Sequence, residues 1–588
     1  MTTLLSDKTR EHVQAVRERA GIWIRHDHTF IRFEGRDVAS WLQTQTSNDV
    51  VALQSGCGHA GTLLDRKGRL QAHFTLHRWE DEYWMLIEKQ QAPRLLEQLD
   101  AHLFLEDVHV EDAGDSLEQV VVQGPKTLPF LASPLDTDEG TASIYLPRQR
   151  HGCHPLELLG CQVLAFNISV SGEDGYVLVA QAGEAQALVS AILERGRGVG
   201  LTEVGEEARE VLRIEAGIPR FGLDMDTTNR MPETTLERDG VSYDKGCYLG
   251  QEVVAKLRAY SSVKFALCGL ILPPALQAYP QLNAPVIVDG QTVGTVKSGA
   301  YSPTLRSWIC LAYLDREHRA PGSALAFAIG PEGAAFQAEV AVLPFYAAPT
   351  REERAAALYE QALAHFESDE HDEDTAAIEW LKEAVLLHPG YEDAYEALGV
   401  ILHRHHRVDE AIHYMKILEE LNPDCVMAHT NLSVFYVSKG MIEEAEEEKA
   451  KAAVAQMRLA RDSHRAEAMA AEERERIRRE ARERMEMFRE VLEIDPDDPL
   501  ATFGMGMAHI QVDEYESALP YLRRATQVQK DYSVAFLNLG KCLEFLKRID
   551  EAAVAYRSGI EAAGRKGDLV PLREMERRLK SLGVTQTN

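Results

Sequence analysis

The stretch DKGCYLGQEVVAK, Asp244–Lys256, carries the most specific pattern in the sequence. Gly246 and Gly250 allow a turn, after which QEVVAK predicts the start of a helix. Cys247 would then lie near a helix N-terminus with the ammonium group of Lys245 two residues away. Both features favour the thiolate form. The pattern therefore predicts a reactive thiol, although a single cysteine can also pack as a small apolar residue.

The sequence around this stretch reads as mixed strand and helix from residue 20 to 345. Runs such as WIRHDHTFIRFEG, AHFTLHR and YVLVA are β-branched or aromatic, whereas RDVASWLQTQTSNDV has helical spacing. From 265 to 345 strand-like runs recur at short intervals, which favours a small barrel. We therefore expect an α+β module of two subdomains over 1–262 and a C-terminal β-barrel subdomain over 263–348.

The sequence after residue 350 indicates an all-α domain built from repeats. Gly399 and Ser433 are 34 residues apart, as are Ala411 and Ala445. The same interval separates two later pairs, Gly506 and Gly540, and Ala518 and Ala552. Small residues at this period are typical of tetratricopeptide repeats, whose helices approach closely. We therefore expect a repeat solenoid over 351–588, with an unrelated helical bundle as the alternative.

A densely charged stretch near 453–490 separates the two groups of repeats. It consists of strong helix formers and contains neither Gly nor Pro. Arg and Glu alternate at i, i+4 spacing, which neutralises the helix face and disfavours a nucleic-acid-binding arm. The stretch predicts one long, solvated helix.

The composition is that of a globular protein with several domains. The chain has 588 residues, of which 45% are hydrophobic and 27% charged. A net charge of −30 opposes direct contact with nucleic acid or anionic membranes. The sequence has neither a run of 18 apolar residues nor a segment like a signal peptide, so we expect a cytoplasmic protein. The eight cysteines form no CxxC pair, and we expect neither a disulfide framework nor a metal site.

The run KGCYLGQE, Lys245–Glu252, resembles the K-G-C-x-x-G-Q-E signature of the YgfZ family of folate-binding proteins, relatives of the glycine-cleavage T-protein. The blocks SGEDGYVLVA and LRIEAGIPRFGLDMD are similar to blocks shared with T-protein, and the resemblance covers 20–345. It implies a T-protein-like cloverleaf of three subdomains around a channel that takes tetrahydrofolate. It also implies catalytic roles for Cys247 and Lys245 and folate contacts from Glu173, Tyr176, Arg213, Glu215, Tyr248, Gln251 and Glu252.

Folate chemistry gives two of these residues a specific task. A pterin ring offers hydrogen-bond donors on its amino group and on N3, and a carboxylate such as Glu173 or Glu215 could accept both. A buried carboxylate needs such a partner. The alternative for Glu215 is a structural ion pair with Arg213 or Arg220.

The chain also departs from the related families at several positions. T-protein carries an aspartate pair after the double glycine of its hairpin, and this aspartate polarises the folate amine during aminomethyl transfer. Here Ala72 and His73 stand in that place, and Glu88 replaces an Asn of the next strand. Compared with YgfZ-type proteins, Lys256 replaces an Arg, and Ser261-Ser262 replaces an Arg-Gly pair. Aminomethyl transfer is therefore not expected, because alanine cannot act as a base.

These observations leave three hypotheses for function. The first is a tetrahydrofolate-binding accessory protein for iron–sulfur cluster assembly or repair, which uses the Cys247 thiol and docks client proteins through its repeats. The second is a folate-dependent aminomethyl- or methyltransferase, which the substitution at Ala72 disfavours. The third is a non-catalytic adaptor that acts only through its repeats. An intact K-G-C signature favours the first.

Overall fold

The computed structural model describes residues 5–132, 135–137, 140–142, 145–259, 263–274, 282–329, 336–366, 374–566 and 568–582. Ser261 and Ser262 lie outside the described residues. The chain forms two compact units, Met1–Ala394 and Tyr395–Asn588. Each unit is described by itself.

The first unit contains two large β-sheets and a closed barrel. One sheet has the order β3-β4-β5-β2-β6, the other the order β10-β11-β12-β7-β1-β13, and β8 pairs with β9. The strands of these sheets are β1 Gly21–Arg25, β2 His28–Glu34, β3 Cys57–Leu64, β4 Leu70–Trp79, β5 Glu82–Glu88, β6 His109–Asp112, β7 Leu117–Gln123, β8 Leu135–Thr137, β9 Gly140–Ala142, β10 Cys153–Leu158, β11 Cys161–Phe166, β12 Gly175–Gln181 and β13 Thr202–Glu203.

The helices of the first unit lie on the faces of these sheets or follow the barrel. None of the described helices of the chain has the length and apolar composition that a membrane span requires. The bounds are α1 Asp7–Glu18, α2 Val38–Gln45, α3 Ala92–Asp100, α4 Thr127–Leu131, α5 Ala185–Arg195, α6 Glu206–Glu215, α7 Glu237–Gly240, α8 Gln251–Ala259, α9 Arg351–Phe366 and α10 Asp374–Leu387, with short 3-10 turns at Gly196–Val199 and Met231–Glu233.

Each large sheet buries one apolar cluster against its helices. Val16 of α1 and Leu212 of α6 pack with Trp23 and Phe166 of the six-stranded sheet. In the five-stranded sheet, residues such as Phe33 and Phe74 pack with Trp41 of α2 and Leu95 of α3. Alternating strands and amphipathic helices bury their apolar faces in this way. These two layers are the two α+β subdomains.

The third subdomain is the closed barrel, with the order β14-β17-β16-β15-β18-β19. Its interior is filled by aliphatic side chains together with Trp308 and Cys310. The predicted α+β fold with a C-terminal barrel is therefore confirmed. The strands are β14 Phe265–Leu272, β15 Pro285–Val288, β16 Gln291–Ser302, β17 Ser307–Asp315, β18 Ala324–Ile329 and β19 Phe336–Ala341.

The first two helices after the barrel, α9 and α10, belong to the first unit. The Asp174 carboxylate accepts hydrogen bonds from the guanidinium of Arg351 at 2.5 and 2.7 Å and from that of Arg354 at 2.9 Å. Lys126 pairs with Glu383 of α10 at 2.8 Å. The helical region begins at residue 351, as expected. Because these ion pairs tie α9 and α10 to the β-rich module, however, the second unit begins only at Tyr395.

The second unit consists of paired helices, and the predicted small residues lie where the helices cross. A Cβ atom on Gly540 would lie 2.2 Å from the ring of Tyr556, and one on Gly399 would lie 2.4 Å from Met415. Ala411 and Ala518 are fully buried. The predicted repeat architecture is confirmed. The helices are α11 Glu392–Arg404, α12 Val408–Leu421, α13 Val426–Ser438, α14 Ile442–Ile494, α15 Pro499–Gln511, α16 Tyr515–Val528, α17 Ser533–Phe545, α18 Ile549–Lys566 and α19 Leu569–Ser581.

The charged stretch near 453–490 lies inside α14, a single helix of 53 residues. Ala455 and Ala481, each 13 positions from one end of the helix, are buried. Between them the exposed face carries ion pairs along the helix, such as Arg476 with Glu473 at 2.6 Å. The prediction of one long, solvated helix is confirmed.

The ion pairs of Asp174 with Arg351 and Arg354 give a test of the assignment of α9 to the first unit. We expect Asp174→Asn to lower the free energy of unfolding of the first unit by about 3 kcal/mol, because two guanidinium groups lose a largely buried partner. Urea unfolding followed by tryptophan fluorescence measures this unit alone, because all six tryptophans lie between residues 23 and 380. The exposed Asp100→Asn is the control and should stay within about 0.5 kcal/mol of wild type. Equal stability of the two variants would contradict the assignment.

Candidate functional site

The K-G-C segment is fixed to the β3–β4 hairpin. Helix α8 begins at Gln251, as predicted. Gly250 has φ +85°, and a Cβ atom there would lie 2.6 Å from the Asp65 carbonyl oxygen, so this position requires glycine. Tyr248 is buried with Leu64 and other apolar residues of the hairpin region. The segment is therefore held in one conformation.

Lys245 points into the protein, away from the solvent around Cys247. Its ammonium group donates hydrogen bonds to the carbonyl oxygens of Gln43, Thr46 and Asn48, each at 2.7 Å. Burial lowers the pKa of Lys245 to about 8. The side chain holds the turn after α2 against the K-G-C segment. The sequence alone did not reveal these contacts, and the catalytic role expected for Lys245 stays a prediction.

The other residues of the segment point in different directions. Cys247 is exposed. Glu252 is also exposed and pairs with Lys256 of its own helix at 2.6 Å. Tyr248 faces the interior, and burial raises its pKa to about 12. Gln251 is half-buried. The segment therefore presents its thiol to the solvent and its aromatic ring to the core.

Glu173 and Glu215 share one partner, Arg17 of α1. The Arg17 guanidinium donates to Glu173 at 3.1 Å and to Glu215 at 2.7 and 3.1 Å. Ser302 of the barrel donates to the other oxygen of Glu215 at 2.5 Å. Burial raises the pKa of Glu173, and the charge of Arg17 opposes that shift. The ion pair expected for Glu215 does exist, but its partner is Arg17 and neither Arg213 nor Arg220.

Arg213 joins α6 to the barrel. Its guanidinium donates to Glu210, to the buried Asp224 at 2.7 Å, to the Ile218 carbonyl at 2.6 Å and to the Ser298 hydroxyl at 2.7 Å. Burial opposes its charge, but the two carboxylates outweigh burial and raise the pKa of Arg213. All five N–H donors of this side chain have partners.

Tyr176 lies fully buried on β12. Its hydroxyl donates to the Pro147 carbonyl at 3.1 Å and accepts from Arg351 at 3.4 Å. Burial raises its pKa to about 12. The structure thus gives Glu173, Tyr176, Arg213 and Glu215 partners within the protein, and a contact of these four with folate stays a prediction.

A cavity of about 410 Å³ opens where β2 and β5 meet the segment 220–223. Its lining includes Asp27, Glu88, Arg220 and Phe221. Arg220 lies 3.5 Å from Asp27, and burial raises the pKa of Glu88. This polar cavity contains Glu88, one of the positions at which the sequence departs from T-protein.

Basic groups lie beside this cavity at the hairpin position where T-protein carries its aspartate pair. Ala72 is fully buried. Burial and the nearby charge of Arg25 lower the pKa of His73 to about 4. The same two causes lower the pKa of His28 to about 3. Burial alone would raise the pKa of Asp27, but its hydrogen bond with His28 and the nearby cations lower it. At neutral pH positions 72 and 73 therefore present a neutral imidazole and no carboxylate.

One group of possible metal ligands occurs among the described residues, in the second unit. Ligand atoms of Glu419, His429 and Glu448 lie within 4.8 Å of one another. They come from three different helices, so no spacing in the sequence could have revealed them. Lys451 already donates to both carboxylates, at 3.1 and 2.8 Å. The protein's own ammonium group thus already offsets part of the negative charge of the cluster.

Comparisons with known proteins agree with this architecture. The family model of the GCVT N-terminal domain matches residues 2–243, and that of the glycine cleavage T-protein C-terminal barrel domain matches 266–347. A tetratricopeptide repeat model matches 397–464 and 503–566.

Known relatives match the same part of the chain. An aminomethyltransferase of Saccharopolyspora erythraea is 30% identical over 341 residues, which is 57% of this chain and 89% of the relative. One from Streptomyces avermitilis is 28% identical over 57% of this chain and 88% of its own. The crystal structure of the glycine cleavage system aminomethyltransferase T from Bartonella henselae shares the fold, with a TM-score of 0.50, 20% identity, and coverage of 59% of this chain and 91% of that one. The chain therefore belongs to the glycine cleavage T-protein family and carries tetratricopeptide repeats after the T-protein module.

Proposed function

We propose that this protein is a tetrahydrofolate-binding accessory protein that supports the assembly or repair of iron–sulfur clusters. The T-protein fold of the first unit and the polar cavity beside Glu88 support folate binding. The iron–sulfur role rests on the resemblance of Lys245–Glu252 to the YgfZ-type signature. The repeats supply the docking domain for client proteins.

The observation that carries the choice of an accessory role is the pair Ala72 and His73. An aminomethyl transfer builds up positive charge on the folate amine, and a nearby carboxylate would stabilise that charge. The His73 imidazole carries no such charge, because burial and Arg25 lower its pKa to about 4. The carboxylates of Asp27 and Glu88 line the cavity from other positions in the chain. The hairpin position therefore lacks the charge that T-protein supplies there, which favours an accessory role over this transfer.

Within the proposal, Cys247 is the reactive group and Lys245 positions it. The thiol is exposed beside the first turn of α8. The Lys245 ammonium donates hydrogen bonds to three carbonyl groups. Lys245 therefore affects Cys247 by fixing the position of the segment. All eight cysteines are free, which suits the reducing environment of the cytoplasm, where we place the protein.

A transferase is the second candidate, because the related proteins that cover this module are named aminomethyltransferase. An assay of aminomethyl transfer to tetrahydrofolate, run with the full chain and with its Ala72→Asp variant, distinguishes a transferase from an accessory protein. The accessory role predicts no transfer by the wild type. A pure adaptor would neither transfer the group nor bind folate.

Tetrahydrofolate should bind the full chain and stabilise its first unit. At a hundredfold excess over Kd the expected gain is about 2.7 kcal/mol in the free energy of unfolding. Anaerobic calorimetric titration and thermal unfolding of the wild type and of Cys247→Ala measure this. Both proteins should bind, because Cys247 is exposed and serves the chemistry. A wild type that neither binds nor is stabilised would refute the folate proposal.

The carbonyl contacts of Lys245 should matter for stability. We expect Lys245→Met to lower the free energy of unfolding by about 3 kcal/mol, because three carbonyl groups, of which that of Thr46 is buried, lose their donor. Lys256→Met, in the same segment, removes an exposed ammonium and should change stability by less than about 0.5 kcal/mol. Urea unfolding compares the two variants. If they behaved alike, the positioning role of Lys245 would be wrong.

Cys247 should be the most reactive of the eight thiols. Burial raises the pKa of the Cys153 and Cys268 thiols to about 12 and that of Cys542 to about 11, which leaves them protonated at neutral pH. Limited iodoacetamide treatment at pH 7.5 followed by peptide mass spectrometry should therefore label Cys247 first. The half-buried Cys425 is the internal comparison. Labelling of Cys425 at the same rate would argue for a purely structural Cys247.

A further inference from the structure

A second cavity of the first unit, of about 540 Å³, opens between the turn before β3, the end of β4 and the start of β10. We call it the aromatic cleft. It shares no lining residue with the cavity beside Glu88. Trp79, which lines it, follows His73 by six positions on β4, a distance of about 20 Å along a strand. The proposed folate site therefore leaves the aromatic cleft unused.

Three aromatic rings form the walls of the aromatic cleft. The centre of the His154 ring lies 5.1 Å from that of Trp79 and 4.7 Å from that of Tyr145, with interplanar angles of 84° and 74°. Tyr145 is 62% exposed, so the cleft is open to solvent. Burial lowers the pKa of His154, which is therefore neutral at pH 7. An open cleft with aromatic walls suits an extended peptide better than an enclosed small molecule.

The aromatic cleft offers hydrogen-bond donors that the protein itself does not use. Among the described residues, the indole N–H of Trp79 and the hydroxyl of Tyr145 have no hydrogen-bond partner. The described residues of the lining include no carboxylate, and the charged one among them is Arg148. A fitting ligand therefore presents carbonyl groups, few N–H groups and a negative charge.

The backbone of residues 147–149 beside the aromatic cleft is held in place by the protein. The side-chain amide of Gln149 donates to the Gly56 carbonyl at 3.1 Å, which ties this segment to the turn before β3. The Arg148 carbonyl accepts from the Arg351 guanidinium at 2.8 Å. A surface that is fixed before binding loses less conformational entropy when a ligand arrives. The cleft thus has the preformed shape that a weak peptide ligand needs.

We propose that the aromatic cleft binds a proline-rich, acidic segment of a partner protein. Such a segment adopts the polyproline II helix, which docks on aromatic side chains and leaves its carbonyl groups exposed. Proline has no N–H group, which matches a cleft whose unused groups are donors. Acidic residues beside the prolines match the charge of Arg148. This site lies outside the repeats and does not rest on the proposed folate function.

Calorimetric titration of the full chain with three synthetic capped peptides tests this proposal. The first peptide has eight prolines between two glutamates. Lysines replace the glutamates in the second, and alternating glycine and serine replace the prolines in the third. The wild type should bind the first peptide about tenfold or more tightly than the third, because a flexible chain loses more entropy. It should bind the second about threefold more weakly than the first at low salt, and about 0.5 M salt should remove that difference.

Two variants locate the bound peptide. Tyr145→Ala should weaken binding of the first peptide about tenfold or more, because aromatic anchors carry most of the energy of such contacts. Trp79→Phe keeps an aromatic ring but removes the N–H donor, and it should weaken binding about three- to tenfold. The control is Phe104→Ala, which removes a ring that is 78% exposed outside the cleft. It should bind as the wild type does.

The proposal would be overturned by a wild type that does not bind the first peptide at about 1 mM. Equal binding of the first and third peptides, tighter binding of the second, or equal binding by the wild type and Tyr145→Ala would overturn it as well. The peptide comparison on the wild type holds even if a variant fails to fold. Saturating tetrahydrofolate should leave the peptide bound, and displacement would assign the cleft to the folate site instead.

Discussion

The first unit depends on Arg17, whose single guanidinium is shared by two buried carboxylates. Arg17 lies on α1, Glu215 ends α6, Glu173 precedes β12, and Tyr346 packs over the guanidinium plane with 3.9 Å between the Arg17 carbon and the ring centre. Ser302 adds the barrel to the same cluster. Removing one member of such a buried network leaves the others uncompensated, at a cost of several kcal/mol. The N-terminal helix thus joins the subdomain of the six-stranded sheet to the barrel.

Arg213, two residues before Glu215 on α6, forms a second charged cluster with the barrel. Its guanidinium joins Asp224 and Ser298, so α6 holds the barrel through two charged clusters. The conspicuous acidic and basic residues of the T-protein-like blocks therefore serve assembly of the subdomains.

The sequence was informative wherever a local pattern determines structure. The glycines around Cys247 predicted the turn and the helix start at Gln251, and the 34-residue interval predicted the repeats. It failed where partners lie far apart in the chain. Arg17 meets carboxylates 156 and 198 positions away, and no periodicity reports such a distance. The direction of the Lys245 side chain likewise follows only from the packing of its segment against residues 43–48.

The length of α14 has a consequence for the second unit. At 1.5 Å per residue, 53 residues extend about 80 Å, whereas the helices of a repeat extend about 20 Å. One end of α14 packs against α13 and the other against α15. The helix is therefore a rigid spacer between two short solenoids. Binding grooves on the two solenoids would be kept apart and would not merge into one surface. A client with two docking sequences at the matching separation would gain from effective concentration, whereas a client with one would not. The long helix α14 would thus make binding depend on the spacing between a partner's docking sequences as well as on the sequences themselves.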